Sequence, residues 1–149
     1  MKPQASTTRD CYATALRKAS RRLTALYDDV LAPAGLRSTQ YAILGELVDG
    51  EPITINELAR TLVLDRSGLG HSLRPLQRDG LIRLDKDATD RRSVNVTLTE
   101  EGQRRFEQAR ALWRSAQDRV ATALGTPVAE QLRDQLNEIA EDDRLTSQS

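Results

Sequence analysis

The sequence predicts a mainly α-helical fold carrying one small β-hairpin. Apolar residues recur at three- and four-residue steps through most of the chain, the spacing that puts them on one face of a helix. Start and stop signals such as Thr54-Ile55-Asn56-Glu57, Gly80 and Thr126-Pro127 divide that pattern into separate helices. A clean alternation, Val94-Asn95-Val96-Thr97-Leu98, interrupts it and reads as a strand. At 149 residues the chain is the size of one domain and can bury a core, although flanking helices can also belong to a partner's core.

The elements follow in order. Tyr12, Leu16, Ala19, Leu23, Leu26, Tyr27, Val30 and Leu31 make one stripe of a long first helix, which Pro33 and Gly35 end. Ser38 caps a second helix carrying Tyr41, Leu44, Leu47 and Val48, stopped at Asp49-Gly50. Thr54-Ile55-Asn56-Glu57 fits a capping box, in which hydroxyl and carboxylate satisfy each other's free backbone N–H groups, and opens a short third helix. After a break at Val63-Leu64, Asp65 is the N-cap of a fourth helix with Leu69, Leu73 and Leu76 as its stripe and Gly80 as its stop. Leu81 to Leu84 and Val94 to Leu98 are the two strands of the hairpin, joined by a polar loop. Thr99 with Glu100 and Glu101 opens a long fifth helix through Phe106, Ala109, Leu112, Trp113, Ala116, Val120 and Leu124, closed by Gly125. Thr126 as cap and Pro127 at the first helical position begin a sixth, with Leu132, Leu136 and Ile139.

Composition narrows the function. Aromatic residues, at 3%, leave little for stacking single-stranded bases. The formal net charge is zero, but phosphate binding depends on where cations sit. Between positions 66 and 92 the cations Arg66, Arg74, Arg78, Arg83, Lys86, Arg91 and Arg92 outnumber the acids, whereas the tail is acidic. A single cysteine, Cys11, rules out an internal disulfide, and the first ten residues lack an apolar signal region, so a cytoplasmic location is expected. No uncharged apolar run approaches a membrane span.

From Thr54 to Leu98 the order is short helix, tight turn, second helix, then a hairpin with a charged loop, which is a winged helix-turn-helix. In that motif the second helix lays its N-terminal half in the major groove, where short polar or basic side chains reach base edges. Arg66, Ser67, His71 and Arg74 occupy that half or its exposed face. Gly68 and Gly70 cost about 1 kcal/mol each in helix stability and let the backbone approach DNA. Pro75 removes one backbone N–H and should kink the helix. In the hairpin loop, Asp90 can hold an arginine in place while Arg91 or Arg92 senses the negative potential of a minor groove.

These segments resemble the MarR (multiple antibiotic resistance regulator) family. The similarity runs through Gly35-Leu36-Arg37-Ser38-Thr39-Gln40-Tyr41, Leu64 to Leu69, Leu73 to Ile82, the wing Asp90-Arg91-Arg92-Ser93, and Leu98-Thr99-Glu100-Glu101-Gly102. It implies a homodimer with the first, fifth and sixth helices intertwined, and places the family's wing aspartate and minor-groove arginine on Asp90 and Arg92. Many members carry arginine on the recognition helix where this chain has His71. The expected organisation is an N-terminal arm and dimerisation helix (1–36), a winged DNA-binding domain (37–99), and C-terminal dimerisation helices with a polar tail (100–149). The apolar stripes of the flanking helices support dimerisation independently, since one chain would leave them wet. Two recognition helices on a two-fold axis would read a pseudo-palindromic operator, with half-sites roughly 34 Å apart.

The resemblance also implies a repressor released by a small aromatic or phenolic ligand, or alternatively by oxidation of a cysteine. Tyr12, Tyr27, Tyr41 and Trp113 can line a ligand pocket, and the same spacing equally fits plain core. Cys11 is either a redox sensor, with Tyr12 and Tyr27 as hydrogen-bond partners, or a small residue buried at the dimer interface. The sensing cysteine of the hydroperoxide-responsive branch would fall near Ala13, nearly the opposite helix face. Neither a cofactor nor a metal is expected, because His71 has no cysteine or second histidine near it. Walker, HExxH and GxSxG patterns are missing, and Gly68-Leu69-Gly70 is followed by Leu73 where a dinucleotide fingerprint needs glycine, so catalysis is not expected. The rival reading is a winged helix used as a protein-interaction module, whose binding would rest on apolar anchors instead of arginines.

Overall fold

The structure, a computed structural model, describes residues 8–146. Helix α1 (Tyr12–Leu31) passes through a 3₁₀ turn (Ala32–Ala34) into α2 (Ser38–Leu47); β1 (Ile53–Thr54) leads into α3 (Ile55–Thr61) and α4 (Arg66–Arg78). Strands β2 (Ile82–Lys86) and β3 (Val94–Leu98) form the wing, and α5 (Glu100–Leu124) and α6 (Thr126–Glu141) follow. The sheet order is β1-β3-β2, all antiparallel, with Ile53 opposite Val96 and Leu84 opposite Val96 from the other side.

The hairpin expected from the alternation is therefore one strand short of the real sheet. Two residues of β1 carry too little pattern to be seen as a strand, and only the edge of β3 draws them in. The second strand also runs two residues past Leu84, to Lys86.

The local signals explain most boundaries. Thr54 and Glu57 form the reciprocal capping box, with the Thr54 hydroxyl accepting from the Glu57 N–H at 3.2 Å and the Glu57 carboxylate from the Thr54 N–H at 3.0 Å. Asp65 caps α4 by accepting from the Gly68 N–H at 2.6 Å, and Thr99 caps α5 by accepting from the Gly102 N–H at 3.0 Å. At the end of α4, Gly80 takes φ +73°, and the Leu81 and Gly80 N–H groups return to the carbonyls of Leu76 and Gln77. Helix α4 continues through Pro75 to Arg78, so the expected disruption is limited to the His71 carbonyl, which loses its helical donor.

Two caps differ from expectation. Ser38 is the first residue of α2, not its cap: its N–H is taken by the Asp28 carboxylate of α1 at 2.8 Å, and the Arg37 N–H by the Gln40 side chain at 2.9 Å. A tertiary contact thus supplies what a local hydroxyl was expected to supply. Likewise Gly125, at φ +86°, ends α5 and caps α6 in a single residue, which leaves Thr126 inside the helix.

The core is continuous from α1 to α5. Leu31, Ile43, Leu44, Leu47, Leu58, Leu69, Leu73, Leu76, Leu81, Ile82, Val96, Phe106 and Ala109 pack together, so α2, α3, α4, the sheet and the first half of α5 form one body. The other half of the molecule is barely covered: α6 buries no residue, and Tyr12, Leu16, Leu124, Val128, Leu132 and Ile139 are exposed.

Candidate nucleic-acid interface

The direction of α4 follows from its apolar stripe. Leu69, Leu73 and Leu76 are buried, which turns Ser67, His71 and Arg74, spaced four and three residues apart, to the opposite side. Arg66 stands exposed in the first turn. All four expected contact residues therefore share an accessible surface at or near the helix start. Arg78 continues the same line, a candidate missed although its seven-residue step from His71 was visible in the sequence; its guanidinium is engaged by Asp79 at 3.2 Å.

The two glycines of α4 differ. A Cβ on Gly68 would come within 2.7 Å of Asp65 Oδ1, so this glycine serves the N-cap as well as any close approach by DNA. A Cβ on Gly70 meets nothing within 4 Å, so the chain itself makes no demand for glycine there. The turn before α4 contains Val63 in left-handed conformation at φ +52°, a strained placement for a β-branched residue.

The wing loop is held by carboxylates. Asp90 Oδ1 accepts from the Arg92 N–H at 3.0 Å and Oδ2 from the Ser93 hydroxyl at 3.0 Å. Asp90 thus holds the backbone of Arg92 and not its guanidinium. Asp87, passed over in the sequence as one more acid, accepts from the Thr89 N–H and hydroxyl, the Asp90 N–H and the Asn95 side-chain amide. These donors, with the Thr89 hydroxyl foremost, hold its carboxyl far below the usual carboxylate range. The Asp-x-Thr-Asp spacing was the available signal, since Asp and Thr bond their own backbone two residues on. Among the described residues Arg66, Arg74, Arg91 and Arg92 take part in no ion pair, while Arg83 is engaged by Asp85 at 2.8 Å.

The sensor candidates separate. Tyr27, Tyr41 and Trp113 come together on a cleft of about 410 Å³ between α1, α2 and α5, along with Phe106 and Arg110. Tyr41 stacks on Phe106 at 4.8 Å and on Trp113 at 5.9 Å between ring centroids, and burial raises the pKa of the Tyr41 and Tyr27 hydroxyls. Tyr27 donates to Gln117 Oε1. Phe106 and Arg110 were not expected here, though Phe106 and Trp113 lie two turns apart on one face of α5. Tyr12, 93% exposed, lines no part of this cleft.

Cys11 is exposed at the N-cap of α1 in the single chain. The Thr14 hydroxyl and N–H, with a smaller contribution from the Arg17 charge, lower its pKa below the ordinary thiol value. Tyr27 is not its partner: sixteen residues along the same helix place it roughly 24 Å away. No group of acid, cysteine and histidine side chains able to hold a metal occurs among the described residues, nor is any helix there long and apolar enough to cross a membrane.

A helix pair with an exposed polar face, followed by a cation-tipped hairpin, defines a winged helix-turn-helix of the kind that binds nucleic acid. The comparisons with known proteins agree. The MarR family profile matches residues 34–93. The organic hydroperoxide resistance transcriptional regulator of Bacillus subtilis (strain 168) is 32% identical over 87 residues, 58% of this chain and 59% of that protein. The chain thus spans a little over half the length of that relative. Among solved structures, the M. tuberculosis transcriptional regulator MosR in complex with DNA is 30% identical with a TM-score of 0.79, over 88% of this chain and 94% of that one. The transcriptional repressor CouR bound to a 23-mer DNA duplex is 25% identical with a TM-score of 0.81, over 95% and 100%. CouR of Rhodococcus jostii RHA1 is also solved with p-coumaroyl-CoA, at 25% identity and a TM-score of 0.77 over 93% and 98%. This chain belongs to the MarR family. These relatives are transcriptional regulators and not enzymes.

Proposed function

We propose that the chain is a sequence-specific DNA-binding transcriptional repressor that acts as a homodimer and is released by a small aromatic ligand. The observation that carries this reading is the outward face of α4, where Arg66, Ser67, His71 and Arg74 stand exposed and neither arginine has an ion pair among the described residues. An N-terminal helix face of this kind enters the major groove, and Arg91 and Arg92 reach the adjacent minor groove. Similarity to MosR and CouR, both solved on DNA, supports it.

The dimer accounts for the apolar surface that one chain leaves wet. Leu16, Leu124, Val128, Leu132 and Ile139 belong to the segments 1–36 and 100–149, and a second copy buries them. The operator is then pseudo-palindromic. The effector occupies the cleft of Tyr27, Tyr41 and Trp113, a reading supported by the aromatic acyl group in the CouR complex. It acts by preferring one spacing of the two DNA-binding lobes, since equal affinity for both would shift nothing.

The test is fluorescence anisotropy of the purified protein on the duplex flanking its own gene, through a salt series. Selective, salt-steep binding is expected. Equal affinity for a random duplex, or a flat salt response, would move the reading to a protein-interaction module.

A redox-responsive repressor is the second reading, favoured by the exposure and lowered thiol pKa of Cys11. Organic hydroperoxide should then release DNA from the native protein and not from Cys11→Ser. Equal release from both, or from neither, discards it.

A further inference from the structure

The wing presents an acid to a polyanion, and the bonds of that acid give it a task. Asp87 Oδ1 accepts from the Thr89 N–H at 2.8 Å, the Thr89 hydroxyl at 2.7 Å and the Asp90 N–H at 3.2 Å, and its Oδ2 accepts from Asn95 Nδ2 at 3.0 Å. Its own N–H donates to the Ser93 carbonyl at 3.0 Å. The loop is thereby tied to itself and to β3 through one carboxylate.

We propose that Asp87, through Asn95, is a positioning residue for DNA binding: it fixes the wing loop so that Arg91 and Arg92 are presented already ordered. The proposal rests on the DNA-binding reading above.

The geometry runs from one carboxylate to the next. Asp87 fixes the Asp90 backbone, and Asp90 fixes the Arg92 N–H and the Ser93 hydroxyl, each at 3.0 Å. Neither guanidinium has an ion-pair partner among the described residues, so the backbone alone sets where they project. A loop without these ties has to be ordered when DNA arrives, and that ordering subtracts from affinity. Four donors from within the wing engage this carboxylate, three on Oδ1 and one on Oδ2.

The sign of one substitution separates this role from simple repulsion. If Asp87 were only a negative charge near DNA, Asp87→Asn would tighten binding and steepen its salt dependence. As a positioning residue, Asp87→Asn must weaken binding, because the charge-assisted bonds from Thr89 and Asp90 become neutral ones and its N–H₂ meets Asn95 only after that amide turns its oxygen inward. The swapped pair Asp87→Asn with Asn95→Asp restores a donor opposite an acceptor and keeps the native net charge.

The experiment measures the full chain on the duplex flanking its own gene, with circular dichroism to establish that each variant folds. Asp87→Asn and Asn95→Asp should each lose about tenfold in affinity, the scale of one charged hydrogen bond. The double variant should return to within about threefold of native on the same scale. Slow amide exchange at Thr89 and Asp90 should disappear in the single variants and return in the double. Native or tighter binding by Asp87→Asn, or a double variant no better than the singles, overturns the proposal and leaves the DNA-binding reading intact. A native protein without preference for the flanking duplex removes that reading and this proposal together.

Discussion

Arg92 is read in the sequence as a minor-groove cation in a charged hairpin loop. Its backbone is fixed by Asp90 while its guanidinium has no ion-pair partner among the described residues. Arg92→Ala is expected to weaken DNA binding and reduce the salt slope by about 1, as measured by anisotropy. Gly102 shows what residue type alone does not reveal. A Cβ there would lie 2.0 Å from the Leu81 carbonyl oxygen and 2.6 Å from Leu98 Cδ1, so α5 can start against the sheet only with glycine. Gly102→Ala should therefore lose about 3 kcal/mol in urea unfolding, the upper range for overpacking against atoms that cannot swing away. Asp87 gives a pH prediction. Its folded pKa is depressed below the ordinary 3.8, so its contribution is present above that value and lost as pH falls through the folded one. Thr89 and Asp90 amide exchange should stay slow through pH 4 and quicken only well below it, and Asp87→Asn should lack that transition.

Helices were legible wherever the apolar period was long and the punctuation local. The stripes of α1, α4 and α5, the box at Thr54 and Glu57, and the Gly80 stop all rest on neighbours within one turn. The elements misjudged depend on distant partners: β1 exists because β3 offers an open edge, and α2 begins where Asp28 reaches across from α1. The turn between α3 and α4 was placed correctly while its strain was invisible. Val63 sits at the position after the α3 cap, where the Val63 and Leu64 N–H groups return to Arg60 and Ala59, the arrangement that glycine usually completes. Its side chain is 69% exposed, so little packing would be lost on replacement. Val63→Gly should stabilise the protein by about 1 kcal/mol, since relief of left-handed strain outweighs the entropy glycine adds to the unfolded chain. Thermal unfolding should show a rise of about 3 °C.

At the scale of the molecule, two halves of different character meet along α5. Its first turns are part of the core through Phe106 and Ala109, while its end and all of α6 leave apolar side chains in contact with water. A monomer would keep that cost, and burial against a second copy removes roughly 25 cal/mol for each square ångström covered. For the homodimer proposed above, Leu132→Glu, on the apolar face of α6, is expected to shift the protein toward monomer in sedimentation velocity and to weaken DNA binding with it. An unchanged dimer would show that the contact lies elsewhere.

The sequence by itself determined the helical periods, most of the caps, the wing strands and the cations that project from them. Each is set by a residue's own geometry or by neighbours a turn away. Only the tertiary structure decided which aromatics share a cleft, separating Tyr12 and Cys11 from Tyr27, Tyr41 and Trp113. It likewise decided that Asp87 and Asn95 meet across the wing and that β1 completes the sheet. The physical reason is common to all three: such contacts depend on the packing of whole elements in space, which a local pattern constrains but does not contain.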